Sequence, residues 1–349
     1  TGLNLISLIC WRFCFFLDAA FCFFASKICL PWLSNLQTNG SPSLAIWTKS
    51  KSACLASDKA SDKLRIPNCS PDSLMSLTLS ALISLLMGKK TKLNLNHLKA
   101  INAYPHVDQF KSLISNYLDL NEVAKNWITS QEKVNSDKSL RFFKTHNMLG
   151  SLNGHAFTNG QNTLGTIHIV RDPRNVITSV KNHYNFSTFY DAVKFISNEK
   201  QILTLSDEEK KKNKKKETKY PLPQIIGSWR SHYTSWKRMK TNYLLVKYED
   251  LIDKPKEEFS KIAIFIGNLI KINFSKDQIS TAIELSSFHK LENMEKRYGF
   301  IESSINKKGK KNKFFYLGPK NDWKKILDDK LQIRISNAFK SEFSELGYK

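Results

Sequence analysis

Lys144, Thr145 and His146 set a cation, a hydroxyl and an imidazole side by side at the close of the run Leu140–His146. An imidazole titrates near neutral pH and can exchange a proton there, and an ammonium group steadies negative charge on a departing oxygen. A single histidine most often serves packing, and His168, inside an apolar run, reads that way. His146 differs because Lys144 is two residues away, so the two side chains share a face while the strand stays extended. A second pair is Arg171 and Ser179. The planar fork of arginine can donate two parallel hydrogen bonds to a phosphate. On spacing alone this pair reads equally well as a surface cation and an ordinary helix serine. Tyr248 closes another apolar run, and a tyrosine there more often packs than binds.

These groups need elements to hold them. Thr166–Val170 reads as a buried strand with Arg171 at its carboxyl end. Asp172 is placed to cap a helix and Pro173 suits its first turn. Val176, Val180 and Tyr184 then recur on one helical face, which puts Ser179 about two turns in. Tyr243–Asp250 reads as a second strand, leading through Asp253-Lys254-Pro255 into a helix. The apolar face of that helix is Phe259, Ile262, Ala263 and Ile266, and Gly267 is expected to close it. Leu140–His146 is a third, short strand. With parallel strands, Tyr248 and Arg171 lie at one edge. The alternation predicts an α/β fold of three layers, a central parallel sheet with flanking helices. In such sheets ligands collect beyond the carboxyl ends of the strands, and helix amino termini favour anions. A helical pattern runs through Val123–Gln131, and Trp229 and Trp236 read as helix packing.

The 349 residues carry 54 Lys+Arg against 31 Asp+Glu, a net charge of +23 that attracts anions generally. The run Lys210–Lys216 reads as a solvated loop and is assigned no binding role. The basic surface lacks the aromatic-and-basic patterning of a nucleic-acid module, so nucleic acid is not an expected partner. All six cysteines lie at or before Cys69, which leaves the body without a disulfide or zinc framework and suits a reducing, cytoplasmic compartment. Residues 1–88 contain no Glu, and from about Lys89 the composition turns to Lys, Asn, Ile and Glu. Residues 1–75 are therefore left unassigned as an atypical leader, outside a domain of residues 76–349. The apolar stretch Leu3–Leu33 is broken by Arg12, Asp18 and Lys27, so a membrane anchor there is the lesser alternative.

Five segments, in order, resemble the sulfotransferase family. They are Phe142–His146 (FFKTH), Val170–Ser179 (VRDPRNVITS) with Lys181–Tyr184, Lys247–Pro255 (KYEDLIDKP), Ser286–Phe288 (SSF), and Gly318 with Asp322-Trp323-Lys324. The resemblance covers roughly residues 90–349 and implies a P-loop-NTPase-like fold. It also implies an enzyme that moves a sulfuryl group from 3′-phosphoadenosine 5′-phosphosulfate (PAPS) to a hydroxyl or amine. By that resemblance Arg171 and Ser179 hold the 3′-phosphate, while Tyr248, Ser286 and Phe288 frame the adenine. Gly318 offers a backbone contact, His146 is the general base, and Lys144 lies near the sulfuryl group. PAPS is then the co-substrate, no metal is needed, and the acceptor is a small molecule or carbohydrate.

Two features depart from the family pattern. A lysine- and glycine-containing loop that cradles the 5′-phosphosulfate is expected before a helix read at about Ser76–Met87. Between Ile66 and Met87 there is no Lys, Arg or Gly, and the first strand of the sheet is expected to be missing with the loop. Tyr316 and Leu317 also stand where many cytosolic members place Arg-Lys before the terminal glycine. The alternative reading is a catalytically impaired relative that binds a nucleotide or anionic polymer.

Overall fold

A computed structural model describes residues 7–8, 101–204, 222–239, 242–299, 310, 312–313, 315 and 317–349. The expected helix at Ser76–Met87, the Ile66–Ser73 segment, the Lys210–Lys216 run and most of Leu3–Leu33 lie outside them. Strands β1 (Ser7–Leu8), β2 (Asn102–Ala103) and β3 (Arg141–Lys144) form a parallel sheet in the order β1-β3-β2. Ser7 and Leu8 pair with Arg141 and Phe142, so the amino-terminal text supplies β3 with a parallel neighbour where none was expected. β3 stops at Lys144, short of His146, so Lys144 and His146 do not share a continuous strand face.

Between β2 and β3 run α1 (Val107–Phe110), α2 (Leu120–Lys125) and α3 (Trp127–Asn135). The pattern read as one helix over Val123–Gln131 is thus broken at Asn126. The Asn126 N–H bonds the Val123 and Ala124 carbonyls, and its side chain donates to the Glu122 carbonyl at 2.9 Å. That closes the first helix with an amide that competes for backbone carbonyls. A hairpin of β4 (Ser151–Leu152) and β5 (His155–Ala156) follows, with Asn153 and Gly154 both at positive φ in its two-residue turn.

The strand β6 (Gly165–Val170) is buried at all six positions, and α4 (Pro173–Tyr184) follows it. Asp172 caps α4 by accepting from the Arg174 N–H at 2.9 Å, with Pro173 first in the helix as the sequence predicts. Next come α5 (Phe189–Ser197), the antiparallel pair β7 (Ile202–Leu203) and β8 (Gln224–Ile225), and α6 (Trp229–Trp236). The strand β9 (Asn242–Lys247) runs parallel to β6 in a register that pairs Val170 with Lys247. It ends earlier than the run Tyr243–Asp250 suggests, because Tyr248 opens α7 (Tyr248–Asp253). Glu249 and Asp250 stand in that helix's first turn, where the partial positive charge of the helix favours carboxylates.

The helix α8 (Pro255–Ile270) carries the expected apolar face but passes through Gly267. Ile270 continues the buried stripe, and a Cβ at Gly267 would lie 2.4 Å from the Ile272 carbonyl. The glycine therefore admits the chain as it folds back instead of ending the helix. The remaining helices are α9 (Lys276–Leu285), α10 (Phe288–Tyr298), a 3-10 turn (Gly318–Lys320), α11 (Trp323–Ile326), α12 (Asp329–Ala338) and α13 (Lys340–Leu346). Alternate residues of β6 face opposite layers. Ile167 and Ile169 pack with Phe259, Ile262 and Ile266 of α8, while Val170 packs among Val176, Trp229 and Tyr233. A parallel sheet covered on both faces is the three-layer α/β architecture. Among the described residues no helix is long and apolar enough to cross a membrane.

Candidate functional site

The β6–β9 register brings Arg171 and Tyr248 out side by side at the carboxyl edge of the sheet, as expected of parallel strands. The Arg171 guanidinium lies over the Tyr248 ring, 4.3 Å from its centroid, and both residues are buried. The backbone at this corner is pinned from two sides. Trp229 Nε1 donates to the Arg171 carbonyl at 3.2 Å, and the Asp172 N–H donates to Glu249 Oε1 at 3.0 Å. Burial pushes the Glu249 carboxyl above its ordinary value, and the Arg171 charge pulls it back.

The second arginine of this segment has a different job. Arg174 Nε and Nη2 meet Asp172 Oδ1 and Oδ2 at 2.9 and 2.6 Å. Its guanidinium lies 3.8 Å from the Trp323 ring centroid and 4.5 Å from that of Phe343. With its ion pair and the Phe343 ring buried and the Trp323 ring half-buried over it, Arg174 locks α4 to the carboxyl-terminal helices. Ser179 sits half-buried on α4.

The glycine-containing turn is tied to that same helix. Thr178 Oγ1 donates to Asn321 Oδ1 at 2.9 Å, Asn321 Nδ2 donates to the Asn175 carbonyl at 2.9 Å, and the Trp323 N–H donates to Asn175 Oδ1 at 3.1 Å. Asn175, Thr178 and Asn321 are residues that sequence reasoning missed, since amide-to-amide ties between distant segments leave no local pattern. Gly318 has φ +52, and a Cβ there would lie 2.2 Å from the Phe288 ring, so only glycine lets this turn close on Phe288. Phe288 opens α10, and its ring meets Phe315 edge-on at 6.0 Å. Ser286, fully buried at the end of α9, turns its hydroxyl to the Ile283 carbonyl at 3.4 Å.

Beyond β3, Lys144 is buried and His146 half-buried. The segment is held by its backbone: the His146 N–H donates to Gln224 Oε1 at 2.9 Å, and Trp236 Nε1 donates to the Asn147 carbonyl at 3.2 Å. Trp229 and Trp236 are thus packing residues with anchoring N–H groups, both fully buried. Behind His146 stand two further histidines. His232 on α6 meets the His168 ring at 5.8 Å, and His168 Nδ1 is 2.7 Å from the Tyr243 hydroxyl. Burial drives the imidazole of His168 down to about 3 and that of His232 well below its ordinary value. Both are neutral at neutral pH.

Residues 76–347 match the family model described as the sulfotransferase domain. A 3-beta-hydroxysteroid sulfotransferase of Cavia porcellus is 31% identical over 105 residues, covering 29% of this chain and 34% of that protein. Cytosolic sulfotransferase 6 of Arabidopsis thaliana is 25% identical over 132 residues, 36% of each. The chain spans about a third of the length of these curated relatives. A solved structure of retinol dehydratase with androsterone and the inactive cofactor PAP aligns over 78% of both chains at 17% identity, with a TM-score of 0.46.

Proposed function

The chain belongs to the sulfotransferase family, and from that premise we propose that it transfers a sulfuryl group from PAPS to a hydroxyl or amine of a small-molecule or carbohydrate acceptor. The observation that carries this reading is the corner at the end of β6, where Arg171 lies on Tyr248 beside the amino terminus of α4. A terminal phosphate suits this corner because the guanidinium, the helix amino end and the Ser179 hydroxyl all favour a dianion. The turn at Gly318 is bonded to the same helix through Asn321, and its close approach to Phe288 supports an adenine-side wall formed with Tyr248 and Ser286.

In this reading His146 accepts the acceptor's hydroxyl proton as the oxygen bonds to sulfur. The bond from sulfur to the 5′-phosphate oxygen breaks, its electron pair leaves on that oxygen, and Lys144 steadies the charge. The domain is taken as residues 76–349, joined at its sheet by Ser7–Leu8 of the otherwise unassigned residues 1–75. The absence of cysteine after Cys69 and the cytosolic relative support a cytoplasmic location, and the hydroxysteroid relative supports an alcohol as acceptor. A second reading, binding without turnover, is favoured by the lack of Lys, Arg and Gly between Ile66 and Met87.

Calorimetric titration of 3′-phosphoadenosine 5′-phosphate (PAP) into the chain tests the site. Micromolar binding that Arg171→Ala weakens by about tenfold or more supports it, the loss expected of a charged hydrogen-bonded pair. No binding by the folded chain refutes it, and binding without transfer to any acceptor selects the second reading.

A further inference from the structure

Behind Arg171 lies a layer of polar contacts that none of the assigned roles uses. Both carboxylate oxygens of Glu249 are engaged: Oε1 accepts from the Asp172 N–H at 3.0 Å, and Oε2 accepts from the Tyr348 hydroxyl at 3.0 Å. Asp172 and Tyr248 are the residues adjoining Arg171 and Glu249 in sequence and in space, so this carboxylate sits at the joint between the two strand ends. Tyr348 follows α13, where its ring meets Phe343 edge-on at 5.8 Å. Phe343 in turn packs under Arg174 and against Trp229. The segment after α13 is thereby built into the rear wall of the corner.

The electrostatics give this placement a consequence. A carboxylate buried without donors protonates or swings toward water. Two donors hold the Glu249 carboxyl group in place, and the Arg171 charge works against burial to favour its ionised form. An arginine that must meet a phosphate in one orientation benefits from a fixed counter-charge behind it, since less freedom is lost on binding. The Tyr348 hydroxyl is one of the two groups that fix that counter-charge.

We infer that Tyr348, acting through Glu249, is a positioning residue for Arg171, and that its hydroxyl favours ligands carrying a 3′-phosphate over those without one. The inference rests on the proposed nucleotide site. A residue that merely staples α13 to the body makes the opposite forecast: its loss lowers the thermal midpoint and weakens all ligands alike.

The experiment compares PAP with adenosine 5′-monophosphate, which lacks the 3′-phosphate, by calorimetry on the full chain. Tyr348→Phe is expected to lower PAP affinity about fivefold and to leave the monophosphate within about twofold, as for one hydrogen bond to a charged group. Added to Arg171→Ala, it is expected to change PAP affinity no further, because the two act as one unit. Thermal midpoints of all variants establish that each is folded. Equal losses for both nucleotides, unchanged PAP affinity, or a full further loss on the Arg171→Ala background each overturn the inference and leave the nucleotide site standing. If the wild-type chain does not bind PAP, the site and the inference fall together.

Discussion

At the end of β6 charge is concentrated: Arg171, Asp172 and Arg174 are buried and Glu249 is half-buried within one corner, each with a partner. Beyond the end of β3 the plan is reversed. The imidazoles behind His146, those of His232 and His168, are held neutral by burial, and the anchoring contacts are backbone amides, Gln224 and Trp236. The difference follows from the two tasks. An anion site gains from charge fixed before the ligand arrives, whereas a group that accepts a proton gains from neighbours that do not compete for it. The two strand ends are therefore expected to fail separately when they are disturbed.

The strongest test of that separation is His146→Ala. Loss of a general base is expected to lower transfer by about 10²–10⁴-fold, measured with PAPS against a panel of phenols and hydroxysteroids. PAP affinity is expected to stay within about twofold, since the nucleotide corner shares no assigned residue with the β3 end. A parallel collapse of turnover and PAP affinity would show that the two regions are one site energetically.

Within the charged corner the two arginines offer a sharper contrast. Arg174→Ala leaves the Asp172 carboxylate buried without its ion pair and empties the space between Trp323 and Phe343. Breaking such a pair is expected to cost about 3–5 kcal/mol of fold stability, read from urea unfolding. Arg171→Ala is expected to leave the unfolding midpoint nearly unchanged while PAP binding falls. If instead Arg171→Ala unfolds the chain and Arg174→Ala does not, the assignment of binding and structural roles is inverted.

Much of this corner was legible from local text. Asp172-Pro173 announced the start of a helix, Val176 and Val180 its buried face, and parallel strands were enough to align Arg171 with Tyr248. Local text misled where a tertiary contact decided the outcome. Gly267 looked like a helix stop because its real purpose, admitting the Ile272 carbonyl, depends on how the chain returns. Tyr248 read as strand because the apolar pattern of β9 continues into it, although the acids after it begin a helix. Tyr348 with Glu249 and His232 with His168 were invisible, since these partners are far apart in sequence and neither spacing nor composition links them.

The neutral histidines make the smallest prediction and the most direct measure of the β3-side plan. His168 is held near 3 and His232 is also lowered, against an ordinary value of 6.5. Below pH 6.5 the unfolded chain takes up protons on these residues that the folded chain refuses, so stability is present above that pH and is lost as pH falls toward the folded values. Each buried histidine contributes a slope of about 1.4 kcal/mol per pH unit. Between about pH 5 and 6 the two together are expected to give nearly twice that in urea unfolding. Glu249 acts in the opposite sense, because its raised carboxyl takes up a proton in the folded chain first, so its stabilising response to acid subtracts from the slope. His168→Phe removes one titrating ring along with the bond to Tyr243, and is expected to reduce the slope by about one histidine's share whatever it does to the absolute stability. An unchanged slope would mean that His168 is protonated in the folded chain, and that the region behind His146 carries charge after all.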